Sequence, residues 1–149
     1  LPEVVVIGFG NDLRQDDGFG PAVILRASQT IVDPKVEFMA CPTLTPELAE
    51  VLSHCRLAIL IDASAELAPG VVDFREIAPT SDADLSLVHF LSPEALLGWT
   101  VRLYGQAPKT ELWLVGSKET GLSETLTDVV EARVAEFVEA LRRRIETLS

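Results

Sequence analysis

Two runs in this chain contain no polar residue. Val4-Val5-Val6-Ile7 is closed by Gly8-Phe9-Gly10, and Leu57-Ala58-Ile59-Leu60-Ile61 is closed by Asp62. A strand with one face in water alternates apolar and polar side chains, whereas an uninterrupted apolar run reads as a strand buried on both faces. Both runs therefore predict interior strands of a sheet that is covered on both sides.

The remaining segments supply the other strands and the covering layers. VEFMAC (36–41) predicts a second strand. VVDFREI (71–77) alternates and predicts a more exposed one, and ELWLVGS (111–117) predicts the last. PAVILRASQTI (21–31) predicts a helix that tolerates Pro21 in its first turn. Thr45-Pro46-Glu47 and Ser92-Pro93-Glu94 each combine a hydroxyl cap, a proline at the first helical position and an acid in the first turn. The first of these helices is expected to run to about Ser53. The second is expected to run to about Tyr104, carrying Leu96, Leu97, Val101 and Leu103. From about Ser123 to Leu148 a long amphipathic helix is expected, with Leu126, Val130, Phe137, Leu141 and Ile145 on one face. Arg142, Arg143 and Arg144 near its end complement the helix dipole and read as a solvated face. APTSDADLS (78–86) reads as a loop. No repeat, low-complexity tract or linker divides the 149 residues, and 48% hydrophobic residues suffice for one core. Alternating strands and helices predict an α/β fold: one domain over residues 1–149, with a mainly parallel five-stranded sheet and helices on both faces.

Charge narrows the partners. Lys and Arg number 12 against 23 Asp and Glu, a net charge of −11, and such a field repels phosphate backbones. Nucleic acid is therefore not an expected partner. No apolar run approaches the ~20 residues that span a bilayer, and no basic leader precedes a long apolar segment. A cytoplasmic protein without a membrane partner is expected. With no unexplained apolar stripe, a monomer is expected too. Cys41 and Cys55 are too far apart for a C-x-x-C motif and read as two reduced, mostly buried thiols.

The chemistry concentrates in GFGNDLRQDDGFG (8–20). Gly8 and Gly10 match the opening of a dinucleotide fingerprint, but Leu13 stands where its third glycine belongs. Asp16 and Asp17 then follow where a pyrophosphate needs donors and positive charge. No Gly-Lys-Ser/Thr completes a phosphate loop. The glycines instead let the backbone turn sharply after the strand and approach another group closely. Asp17-Gly18 then puts a carboxylate on a mobile turn at the sheet edge, and two adjacent acids allow one to cap while the other enters a cleft.

Sites in parallel sheets form at the carboxyl ends of strands. Asp17 lies just past the first strand and Asp62 ends the third. A carboxylate that finishes an apolar strand must be paired, protonated or bound to a cation. Of the two histidines, His54 sits in a helix tail and reads as exposed or capping. His89 precedes the Ser92-Pro93 helix start, and it joins the acids if its loop returns to the same strand ends. Two carboxylates and an imidazole form an O,O,N set able to hold a divalent transition ion with positions left open. An aspartic dyad of Asp17 and Asp62 is the alternative, without its usual flanking sequence. No G-x-S-x-G, H-E-x-x-H or recognisably spaced Cys–His pair is present.

GFGNDLRQDDGFGP (8–21) resembles the N-terminal motif of the nickel–iron hydrogenase maturation endopeptidases, G-x-G-N-x-L-x-x-D-D/E-G-x-G. LIDAS (60–64), with Asp62, resembles their second acidic motif, and His89 followed by LSPEALL (91–97) resembles their histidine motif. PTLTPELAEVL (42–52) is similar to the branch that processes bidirectional, NAD(P)-linked hydrogenases. The resemblance covers nearly the whole chain. It implies a phosphorylase/hydrolase-like three-layer sandwich. It also implies an endopeptidase that removes the C-terminal extension of a hydrogenase large-subunit precursor after nickel insertion. The catalytic, metal-contacting set carried over is Asp17, Asp62 and His89, with Asp16 the neighbouring acid outside it. The nickel is supplied by the substrate, no tightly bound organic cofactor is implied, and metal affinity of the free enzyme is expected to be weak. Many members have a Gly-Gly-Thr-like turn where this chain has Cys41-Pro42-Thr43, which implies an altered substrate groove beside the same triad. The alternatives are a non-catalytic module or chaperone for the nickel-loaded precursor and a nucleotide-binding α/β protein.

Overall fold

Both apolar runs are interior strands. In a computed structural model, which describes residues 1–80, 91–119 and 121–148, β1 (Val4–Phe9) and β3 (Leu57–Ser64) pair in parallel. With β2 (Val36–Cys41), β4 (Val72–Ile77) and β5 (Lys109–Gly116) they form one five-stranded sheet of order β2-β1-β3-β5-β4. β4 runs antiparallel to β5, and the other pairings are parallel. The single-domain α/β expectation is met, and β4, expected to be the more exposed strand, is partly exposed and lies at an edge.

Helices cover the sheet on two sides because successive side chains of each strand alternate between its faces. Val4, Val6, Leu57, Ile59, Ile61, Trp113 and Val115 meet α1 (Phe19–Thr30), α4 (Asp128–Glu131) and α5 (Val134–Glu146). Val5, Ile7, Ala58, Leu60, Leu112 and Leu114 meet α2 (Leu48–Ser53) and α3 (Pro93–Tyr104). On the first side Phe137 of α5 sits edge-on to Phe19, ring centroids 4.8 Å apart, and Phe74 stacks on Trp113 at 4.3 Å.

The local signals hold at some helix ends and not at others. Ser92 caps α3, its Oγ accepting the Ala95 N–H at 3.1 Å, and Gly105 ends that helix in the left-handed region. Thr45-Pro46-Glu47 forms a preceding turn instead of helix, so α2 starts at Leu48. α1 starts earlier than expected, at Phe19, directly after a 3-10 turn (Gln15–Gly18). In α3, Leu96 and Leu97 are buried, whereas Val101 and Leu103 are 39% and 54% exposed.

The long helix from Ser123 is corrected most. Residues before Asp128 are irregular, and α4 and α5 are separate segments. At the junction the Arg133 N–H bonds three residues back to Val130, and its Nε reaches across to the Gly70 carbonyl at 2.9 Å. The basic run is corrected in part. Arg142 and Arg143 make exposed pairs with Glu139, but Arg144 forks onto the half-buried Glu111 of β5 at 2.7 and 2.8 Å. Cys41 and Cys55 are free and half-buried, and burial pushes both thiols up, Cys55 to about 11. No helix among the described residues is long and apolar enough to cross a membrane.

Candidate functional site

The chain leaves β1 through α1 to reach β2 on one side, then crosses back through α2 to β3 on the other side of β1. A crevice opens outside the carboxyl ends of neighbouring strands where the strand order reverses in this way, and ligands of open α/β sheets bind there. Asp17 follows β1 and Asp62 lies near the end of β3. Both line one open cavity of about 410 Å³ at this position. Phe9, Gly10, Asn11 and Arg14 complete its β1 side, and Pro42 and Thr43 close it from the end of β2. The Cys41-Pro42-Thr43 turn therefore shapes the cavity wall.

The turn carrying Asp17 is neither at a sheet edge nor loose, contrary to the sequence expectation. β1 has a neighbour on each side. Gly10, at φ +142°, brings its backbone so close to Asp17 that a Cβ there would overlap the Asp17 carbonyl. A Cβ on Gly8 would likewise run into the Gly20 carbonyl, so these glycines let the start of α1 lie against the end of β1. The Asn11 N–H donates to Asp17 Oδ2 at 2.7 Å, while the Asn11 side chain accepts from the Leu13 N–H at 2.9 Å.

The two adjacent acids divide the work. Asp16 is fully buried and points away from the cavity. Its carboxylate accepts the backbone N–H groups of Lys118 (2.7 Å), Glu119 (2.9 Å) and Thr127 (2.8 Å), together with the Thr127 hydroxyl. Burial pushes this carboxyl up, but the donors of Glu119, Thr127 and Lys118 outweigh it and hold the group below its ordinary value. This grip, with the Ser123 backbone bonded to Leu13 and Gln15, accounts for the missing start of the long helix: Ser123 and Thr127 are both tied to the turn that carries Asp16. Sequence reasoning placed Asp16 as a neighbour of the site, but nothing at positions 118, 119 or 127 marks them as its partners.

Asp62 behaves in the opposite way. It is half-buried at the end of an apolar strand. Burial pushes its carboxyl up to about 7; a backbone hydrogen bond at Ala63 opposes the rise, and the Asp17 charge adds to it. A partly desolvated carboxyl beside a second negative charge favours keeping its proton or gaining a cation.

His89 lies outside the described residues, as does most of the loop expected at 78–86. Among the described residues no three His, Cys, Asp or Glu side chains form a metal-holding group. His54 is exposed at the end of α2, away from this cavity. Arg14, which sequence reasoning passed over, lines the cavity. A larger cavity of about 630 Å³ lies between β4, β5 and α5, floored by Phe74 and Trp113 and rimmed by the Arg144–Glu111 pair. None of the residues nominated from the sequence line it.

No family model matches the chain, and no curated protein matches it. Several solved structures do. The hydrogenase maturating endopeptidase HybD from E. coli is 24% identical, with 99% of this chain and 94% of that one covered, at a TM-score of 0.79. A hydrogenase 2 maturation peptidase from a Thaumarchaeota archaeon is 25% identical over 97% and 98% of the two chains, at 0.72. The hydrogenase maturation protease HycI from Thermococcus kodakarensis is 21% identical over 93% and 89%, at 0.74. This chain has the fold of those proteins, from end to end.

Proposed function

We propose that the chain is a nickel–iron hydrogenase maturation endopeptidase that removes the C-terminal extension of the large-subunit precursor after nickel insertion. One observation carries this reading. Asp17, in the turn that follows β1, and Asp62, near the end of the neighbouring β3, line one cavity at the switch point of a fold shared with maturation peptidases. The sequence motifs around both acids and around His89 supply the family.

In this reading the nickel arrives as part of the substrate. Asp17 and Asp62 offer hard oxygen ligands and His89 an imidazole, a donor set suited to a divalent transition ion. Contact with the metal is how the enzyme distinguishes a loaded precursor from an empty one. A Lewis acid beside the scissile bond polarises its carbonyl, and a carboxylate in the same cavity is placed to take the proton of an attacking water. Asn11 contributes by fixing Asp17 through its N–H. The free enzyme binds metal weakly, because two carboxylates and one imidazole without the substrate's own ligands make an incomplete site. Nickel added to the free protein is expected to be lost on dialysis against a mild chelator. The branch acting on bidirectional NAD(P)-linked hydrogenases is the proposed source of the precursor.

The decisive experiment is incubation of nickel-loaded and nickel-free precursor with the wild type, Asp17→Asn and His89→Ala. The wild type is expected to shorten the loaded precursor alone, and each variant to slow that by about a thousandfold. Undiminished cleavage by both variants would sink the assignment of these residues. Retained binding with no cleavage by the wild type would make the chain a recognition module instead.

A further inference from the structure

Peptide hydrolysis at this cavity raises an electrostatic difficulty, on the reading proposed above. The oxygen of water bonds to the scissile carbonyl carbon, and the π pair moves onto the carbonyl oxygen. When that pair returns, the C–N bond breaks and the leaving nitrogen takes one proton of the water. The other proton is lost as the new carboxyl ionises. Negative charge thus develops twice, on the oxyanion and on the product terminus. Both appear beside Asp17 and Asp62, in a chain of net charge −11, and a divalent ion contacted by those two carboxylates has no net positive charge left to offset either.

Among the described residues that line the cavity, Arg14 is the cation. Among the described residues it enters no ion pair, whereas every other arginine does except Arg102, which lies over the Trp99 ring. Its backbone is held on both sides. The Arg14 N–H donates to the Asn11 carbonyl at 3.1 Å, and the Arg14 carbonyl accepts from the Asp17 N–H at 3.1 Å. Arg14 also bridges in parallel to Ser123, whose N–H reaches the Leu13 carbonyl at 2.9 Å and whose carbonyl accepts the Gln15 N–H at 2.7 Å. Gln15 adopts φ +47° within this clamp. An exposed guanidinium with a fixed backbone root and, among the described residues, no carboxylate partner, lining an acidic cavity, is available to an incoming anion. Its planar fork matches a carboxylate or an oxyanion better than an ammonium does.

We infer that Arg14 is a catalytic residue: it stabilises the oxyanion of the hydrolytic transition state and neutralises the carboxylate left on the shortened product. Charge that develops in the transition state affects turnover more than ground-state binding.

The test is steady-state cleavage of nickel-loaded precursor by the full chain carrying Arg14→Gln or Arg14→Lys. Arg14→Gln is expected to lower kcat about 100-fold with little change in KM. Arg14→Lys, which keeps the charge and loses the fork, is expected to recover part of it. A peptide of the mature C-terminus should inhibit the wild type better with a free carboxylate than with a terminal amide, and Arg14→Gln should abolish that preference. A kcat within twofold of wild type, or a loss seen in KM alone, overturns the inference while the peptidase reading stands. Absence of cleavage by the wild type overturns both.

Discussion

Asp62→Asn is expected to yield a protein more stable than the wild type above neutral pH, with cleavage reduced about a thousandfold. The two effects share a cause. The Asp62 carboxyl is raised to about 7 by burial, with a contribution from the Asp17 charge. Between the ordinary carboxyl value near 4 and this value, the folded chain holds a proton that the unfolded chain has released. Stability therefore falls as pH rises through that window. A tenfold stronger hold on the proton is worth about 1.4 kcal/mol, so ionising Asp62 costs about 2–4 kcal/mol by pH 8 once partial solvation is allowed for. Asparagine keeps the shape and removes the charge. Thermal denaturation should show the variant and wild type converging at pH 4 and separating by roughly 5–10 °C at pH 8. Equal melting temperatures at pH 8 would contradict the strain assigned to this carboxylate. A stabilised but inactive variant is the signature of a group kept for function at a cost to the fold.

The second large effect is expected at Asp16, where the sign is reversed. Its carboxylate gathers three backbone N–H groups and a hydroxyl from residues more than 100 positions away in the chain. Asp16→Ala strands those donors, and we expect a loss of about 3–5 kcal/mol. Asp16→Asn should fall between the two, because one accepting oxygen is exchanged for a donor that faces other donors. Because the folded-state carboxyl is held below its ordinary value, this stabilisation is full above pH 4 and is lost as pH falls further. Hydrogen exchange provides the local readout: the Lys118, Glu119 and Thr127 amides should lose protection in Asp16→Ala before the β1 and β3 amides do. Unchanged protection at those three positions would remove Asp16 from this role. The loop that presents Asp17 is tied to the same segment through Gln15 and Ser123, so cleavage should fall along with stability.

The contrast between these neighbours shows how far the residues alone lead. Two acids in a row after a glycine turn suggested one structural and one functional group, and the motif assigned the second to the site. The motif did not reveal that Asp16 is satisfied by the segment after β5, since that contact joins residues 16 and 127. The same contact explains why the amphipathic pattern overreached. Leu126 and Val130 fit a helical stripe, but the Thr127 N–H is given to Asp16 and the Ser123 backbone to Leu13 and Gln15, and a backbone bound elsewhere cannot extend the helix. Arg144 is a similar case: next to Arg142 and Arg143 it reads as solvated, and only the position of Glu111 on β5 makes it a partly buried partner.

By itself the sequence determined the layers, the interior strands and the two carboxylates, because each is encoded locally. Apolar runs without alternation must be covered on both faces, and strand ends are where an open sheet exposes its side chains. Tertiary structure decided how those pieces act. Strand order brought the ends of β1 and β3 together, burial and the Asp17 charge raised Asp62, and distant N–H groups stabilised Asp16 in its ionised form. Desolvation and hydrogen-bond supply depend on atoms contributed from many points along the chain, so two aspartates of identical chemistry acquire opposite proton affinities only when the chain is folded.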